Sequence, residues 1–122
     1  VFKISDIVSV HTPLTENTRH LVNKERLSLM KKTAYLVNTS RGPVVNENDL
    51  ASVLESGLIA GAGLDVFEFE PKITEKLLSL DNVVLTPHTA SSTISARNAM
   101  AKMAASNIID FLEGKEPKNK IV

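Results

Sequence analysis

Cysteine and tryptophan are absent from this chain. Without cysteine there is no disulfide, no thiolate metal site and no cysteine nucleophile, and the composition fits a reducing compartment such as the cytoplasm. Neither sign of charge is in excess, because 14 Lys plus Arg meet 14 Asp plus Glu, for a formal net charge of zero with the three His neutral. A balanced chain has no electrostatic footprint for nucleic acid or an anionic membrane surface. Its apolar runs are only a few residues long, too short to cross a bilayer. The first residues, Val1-Phe2-Lys3-Ile4-Ser5-Asp6, lack the charged start and apolar stretch of a signal peptide. What remains is ordinary: 43% apolar and 23% charged residues over 122 positions, enough for one compact domain that buries roughly two thirds of its unfolded surface. Since no initiator Met is present, the chain is expected to begin inside a larger protein.

Four short apolar runs read as strands: Ile7–Val10, Tyr35–Asn38, Ala62–Val66 and Val83–Thr86. They are nearly continuous in apolar residues, as strands buried on both faces of a parallel sheet are. Between the first two, Asn23 to Lys32 predicts a short helix with Asn23 as cap and Leu27 and Met30 spaced by three. Between the next two, Asn46 as cap, Asp49 as a capping acid, the stripe Leu50, Val53 and Leu54, and Gly57 as stop predict another helix. A short turn of helix around Glu75 to Leu80 joins the last pair. Beyond them lies a long helix from about Thr93 to Glu113, with Ser92 as cap, Gly114 as stop and an apolar stripe of Met100, Met103, Ala104, Ile108, Phe111 and Leu112. A helix of about 20 residues spans roughly 30 Å, more than a four-stranded sheet needs, so part of it is free to dock elsewhere. The alternation is α/β, and right-handed crossovers turn it into a parallel sheet of Rossmann type.

In such sheets ligands bind beyond the carboxyl ends of the strands. There the sequence places His11-Thr12-Pro13, Thr39-Ser40-Arg41-Gly42, Asp65 to Glu70, and His88. Arg41 offers a planar fork for a carboxylate, His88 trades a proton near neutrality, and a carboxylate such as Glu70 would support its imidazolium form. With no serine elbow and no metal-ligand spacing, proton transfer to a carboxylate-bearing substrate is the leading chemistry. Each signal alone has a plain structural explanation. A lone Arg after a strand is commonly a surface charge, Glu70 before Pro71 can simply begin a turn, and Gly61 and Gly63 can mark close packing. Asp65 is stronger, since an ionised carboxylate in an apolar strand is costly unless paired or facing a ligand. His20 has no supporting context and reads as a surface residue, Met100 and Met103 read as core, and Ser91-Ser92-Thr93 as a capping run.

The ordered set Leu36-Val37-Asn38-Thr39-Ser40-Arg41-Gly42-Pro43-Val44-Val45, Asp49-Leu50, Gly61-Ala62-Gly63-Leu64-Asp65-Val66-Phe67, Glu70-Pro71 and Asn82-Val83-Val84-Leu85-Thr86-Pro87-His88 closely resembles the D-isomer-specific 2-hydroxyacid dehydrogenases. This family includes glyoxylate/hydroxypyruvate reductases and phosphoglycerate dehydrogenases. The resemblance spans almost the whole chain, and His11 to Thr18 resembles an early cofactor-contacting loop. It implies that Arg41 holds the substrate carboxylate and keto oxygen, that His88 is the acid/base group, and that Glu70 pairs with it. It further implies NAD or NADP as cofactor, lined by His11, Thr12, Pro13, Thr39, Ser40, Arg41, Asp65, His88 and Ala90, with Ala90 standing where many relatives have Gly. The expected partner is a small 2-keto or 2-hydroxy acid, with no nucleic acid, metal or membrane, and a homo-oligomer is expected.

The Gly-x-Gly-x-x-Gly turn and the ribose-reading acid of this family would precede Val1, and the separate substrate domain is absent except for the tail Lys115 to Val122. Residues 1–114 are therefore expected to be the second half of a nucleotide-binding domain, and 115–122 a return toward the substrate domain. Isolated, the chain is expected to be inactive, because half of the groups that create near-attack geometry are missing. The rival reading is a non-enzymatic interaction module, since corepressors of the C-terminal-binding type resemble this family and keep similar residues. The strand Ile7 to Val10 and the long helix would both lack their family partners, so the isolated chain is expected to self-associate, as a dimer through the strand, the helix or both, or else to aggregate. Sedimentation at micromolar concentration checks it, and a stable monomer is the contrary result.

Overall fold

The computed structural model describes residues 1–121. A four-stranded parallel sheet runs in chain order through β1 (Ile7–Val10), β2 (Tyr35–Asn38), β3 (Gly61–Leu64) and β4 (Val83–Leu85). Three helices fill the crossovers: α1 (Lys24–Leu27), α2 (Glu47–Glu55) and α3 (Glu75–Leu78), and α4 (Ile94–Leu112) follows the sheet. The α/β parallel architecture matches the expected one. Two compact units divide the chain, the first from Val1 to His88 with the sheet and α1 to α3, the second from Thr89 onward with α4.

Local sequence explains each helix. Asn23 Oδ1 accepts the Arg26 N–H and Asn46 Oδ1 accepts the Asp49 N–H, each cap satisfying a first-turn donor. Asp49, expected to help cap α2, instead accepts the Lys24 N–H at 2.9 Å and so ties the start of α1 to α2. The helix expected over Asn23 to Lys32 is only one turn long, since Leu29 and Met30 close tight turns onto Arg26 and Leu27. Met30 is buried all the same. Gly57 ends α2 with a φ of +66°, a conformation that favours glycine.

Parallel register places Val8, Leu36, Ala62 and Val83 in one row and Val10, Asn38, Leu64 and Leu85 in the next. Val8, Val10, Leu36, Ala62 and Leu64 join Leu27, Leu50, Val53, Leu54, Ile59 and Leu77 in one core. The opposite face is open: Ile7, Tyr35 and Val84 are 65%, 52% and 68% exposed. The expectation of burial on both faces is thus corrected. The continuous apolar runs are two-sided in composition, yet the core of this unit lies against one face only. β3 and β4 also end one residue or more before the expected bounds, so Asp65 follows its strand and is not inside it.

The second unit is built around α4. Thr93, not Ser92, caps the helix by accepting the Ala96 N–H, while Ser92 Oγ accepts from Arg97. Gly114 at φ +72° stops it as expected. None of its residues is buried; Met100, Met103, Ile108, Phe111 and Leu112 are all more than half exposed, so Met100 and Met103 are not the core residues they were expected to be, and the helix carries an uncovered apolar stripe.

One glycine contact is severe. A Cβ on Gly42 would lie 1.9 Å from both the carbonyl carbon and oxygen of Phe67, backbone that cannot swing away, whereas a Cβ on Gly63 would meet nothing within 4 Å. Gly42→Ala is therefore expected to destabilise the chain by about 3 kcal/mol or more, and Gly63→Ala by less than about 1 kcal/mol. Urea unfolding of the two variants measures the contrast.

Candidate active site

The carboxyl ends of all four strands meet at one rim, and each is followed by a polar turn. After β2, the buried Asn38 organises the turn: its Oδ1 accepts the Ser40 N–H at 3.1 Å and the Ser40 hydroxyl at 2.8 Å, and its Nδ2 donates to the Arg41 carbonyl at 3.0 Å. This local bracket projects Arg41 from a fixed backbone. A buried amide left unpaired would cost about 1–3 kcal/mol, so these bonds strongly favour one turn geometry. Arg41 itself is exposed, with Nη1 donating to the Ser40 carbonyl at 2.7 Å.

Beyond β4, His88 has a φ of +53°, left-handed for a non-glycine residue, and its N–H donates to the Thr86 carbonyl at 3.0 Å. Such a conformation costs on the order of 1–3 kcal/mol and persists where surroundings over-determine it. The ring supplies part of that determination, with Nδ1 lying 3.1 Å from Glu70 Oε2. The other carboxylate oxygen, Glu70 Oε1, accepts the Phe67 N–H at 3.0 Å. That backbone bond first, and then the bond with His88, hold the Glu70 carboxyl below the usual glutamate range; the positive charges of His88 and Arg41 act in the same direction.

Arg41, Glu70 and His88 line a single open cavity of about 660 Å³, together with Gly42, Phe67 and Lys72. An apolar neighbour of about 420 Å³ shares Glu70 and His88 and adds Ile73 and Pro87. A third, of about 570 Å³, is lined by His11, Thr12, Pro13, Leu14, Thr39, Ser40 and Arg41. Arg41 thus borders both the cavity lined by Glu70 and His88 and the one walled by the expected cofactor loop. Asp65 and Ala90 are the two expected cofactor residues outside these linings. Asp65 is 5% exposed, and its Oδ1 accepts the Thr86 hydroxyl, linking the ends of β3 and β4. Ala90 belongs to the second unit and is exposed.

The third cavity suits the nicotinamide end of a dinucleotide in its donor set. Its wall carries three hydroxyls, an imidazole and a guanidinium. Thr12 Oγ1 is closed off from solvent without a hydrogen-bond partner, a polar atom that an incoming carboxamide or sugar hydroxyl could satisfy. Among the described residues no group of three metal-ligating side chains occurs, and no helix is long and apolar enough to cross a membrane.

Four residues that shape this rim escape a reading of spacing alone: Asn38, Glu47, Glu68 and His20. His20, expected at the surface without context, is half-buried, with Nε2 2.6 Å from Glu68 Oε1. Glu47 is 1% exposed on the first turn of α2. A polar side chain closing an apolar strand, as in Asn38, is the one signal that sequence offered.

The profile of the family described as "D-isomer specific 2-hydroxyacid dehydrogenase, NAD binding domain" matches residues 1–90. The chain belongs to this family. A glyoxylate reductase of Thermofilum pendens is 59% identical over 114 residues, covering 93% of this chain and 34% of that protein. The D-isomer specific 2-hydroxyacid dehydrogenase of Lactobacillus delbrueckii ssp. bulgaricus, in its NAD-complexed form, superposes with a TM-score of 0.89 at 32% identity, over 100% of this chain and 41% of that one. The NADPH-dependent glyoxylate/hydroxypyruvate reductase of Sinorhizobium meliloti, in complex with NADP and malonate, gives 0.84 at 43% identity, over 88% and 34%. The chain spans about a third of the length of the curated relatives it matches.

A carboxyl whose value is lowered on folding contributes stability that is present above its unfolded value, about 4.3, and lost as pH falls through the lowered folded value. Glu70→Gln is accordingly expected to leave stability near pH 2 unchanged while reducing it near pH 6. Denaturation midpoints at the two pH values test this.

Proposed function

We propose that this chain carries the substrate-anchoring and proton-transferring groups of an NAD(P)-dependent oxidoreductase that interconverts a 2-keto acid and its D-2-hydroxy acid. The observation that carries the reading is the convergence of Arg41, Glu70 and His88 on one cavity, with the histidine and carboxylate already bonded. Arg41 grips the substrate carboxylate as a two-pronged donor and lends a donor to the keto oxygen. His88, as imidazolium, gives its proton to that oxygen in reduction and takes it back in oxidation. Glu70 accepts from Nδ1, which fixes the ring orientation and leaves Nε2 for the substrate. The cofactor supplies the hydride when bound. His11, Thr12, Pro13, Thr39, Ser40, Arg41, Asp65, His88 and Ala90 are the residues that would hold its nicotinamide half, and Asp65 would accept from the carboxamide.

The reductase of S. meliloti, named for glyoxylate and hydroxypyruvate and complexed with malonate, supports a small carboxylate as the substrate class. Complexes of relatives with NAD and with NADP leave both within the family's range. The whole protein would act in the cytoplasm as a homo-oligomer. In it, residues 115–122 would lead back toward a substrate domain, and the 122-residue chain alone would turn over no keto acid at a useful rate.

In the full-length parent, Arg41→Lys should fold normally yet lose about 100-fold or more in kcat/KM, about 2.7 kcal/mol of transition-state stabilisation, because an ammonium cannot form the fork. His88→Ala should lose about 100- to 10,000-fold in kcat. Steady-state kinetics with glyoxylate and hydroxypyruvate reads both, and wild-type rates in the two variants would remove the assignment.

A further inference from the structure

We propose that Glu47, a residue outside the cavity, is a positioning residue that sets the geometry of Glu70 and, through it, of His88. The inference rests on the reading of Glu70 and His88 as the acid/base pair. Its basis is the way one buried carboxylate holds both ends of the loop on which Glu70 stands. Glu47 Oε1 accepts the N–H of Glu68, and Oε2 accepts the N–H of Thr74 at 3.3 Å together with the Thr74 hydroxyl. Glu70 lies between these two anchors. Inside the loop, Lys72 donates its N–H to the Phe69 carbonyl at 2.9 Å, so little slack remains.

Glu68 returns the contact. Its Oε2 accepts the Glu47 N–H at 3.3 Å at the amino end of α2, and its Oε1 meets His20 at 2.6 Å and Arg19 at 3.4 Å. Glu47 and Glu68 therefore exchange backbone donors for carboxylate acceptors, each locking the other. His20 extends the lock to the Arg41 turn, since its N–H donates to the Pro43 carbonyl at 2.8 Å. The close approach of Gly42 to the Phe67 carbonyl closes the same ring of contacts. A buried carboxylate with three donors has no freedom to follow a shifting loop, so the position of Glu70 is inherited from the first turn of α2.

A purely stabilising role for Glu47 would leave the titration of Glu70 untouched in any variant that folds. A positioning role would not, because a shifted loop weakens the bonds from the Phe67 N–H and from His88 that hold the Glu70 carboxyl below the usual glutamate range. Arg41, Lys72, Glu68 and His88, which share the cavity, are the charged or titratable groups facing Glu70. The experiment is an NMR pH titration of the Glu70 side-chain carboxyl in the full chain. In Glu47→Gln an amide replaces one acceptor, so one loop anchor is lost while the shape is kept. The Glu70 midpoint is expected to rise toward the usual glutamate range. A folded Glu47→Gln whose Glu70 curve superimposes on wild type would overturn the proposal. Should that variant fail to fold, Thr74 decides. Thr74→Val removes a donor to Glu47 and is expected to displace the Glu70 curve, while Thr74→Ser restores it; equal behaviour of the two would equally overturn the idea. The readout needs no turnover, so a failure of the catalytic reading, seen in the parent's kinetics, stays separate from a failure of this one.

Discussion

Parallel pairing of four strands in chain order is the constraint from which the site follows. Because β1 to β4 all run the same way, their carboxyl ends share one rim, and the turns after them have to start there. The Arg41 turn, the Glu70 loop and His88, separated by as much as 47 positions along the chain, are thereby brought to a common cavity. An antiparallel arrangement of the same strands would scatter them over two ends of the sheet. Chemistry at this rim is thus a property of topology first and of side chains second.

Topology alone brings groups near one another without orienting them, and orientation comes from buried polar side chains. Asn38, Glu47 and Asp65 are each at most 5% exposed. Each accepts hydrogen bonds from turns at this rim or beside it, and any displacement would leave a desolvated group unpaired. Apolar contacts in the core tolerate small sliding. Directional bonds of this kind do not, which is why they sit directly behind the groups proposed to do chemistry. The left-handed backbone at His88 fits the same division of labour, with local strain held by hydrogen bonds from two segments.

The open face of the sheet and the uncovered stripe of α4 show where composition and burial part company. Ile7, Tyr35 and Val84 have the side chains of a two-sided core, as do Met100, Met103 and Phe111. Their exposure places them among the large apolar groups that a folded chain seldom leaves clustered in water without a partner surface. Within each unit, the physical reason is simple: an apolar pattern specifies that a surface prefers burial, while the supply of matching surface is set by what else is present to pack on it.

Much of the fold was legible in local terms. Asn23 and Asn46 announced helix starts, Gly57 and Gly114 announced stops, and four short apolar runs announced strands, because capping and turn chemistry act over three or four residues and need no tertiary help. The residues proposed for catalysis were legible for a different reason. Arg41, Glu70 and His88 stand at the ends of strands or just beyond them, and their motifs belong to a family whose pattern is specific. Tertiary structure alone decided that His20 pairs with Glu68, that Glu47 anchors the Glu70 loop, that Gly42 touches the Phe67 carbonyl and that Asp65 bonds to Thr86. Those partners lie 48, 21 to 27, 25 and 21 positions apart. No local periodicity encodes such pairs; they exist only once the sheet has closed the distance and removed water from between them.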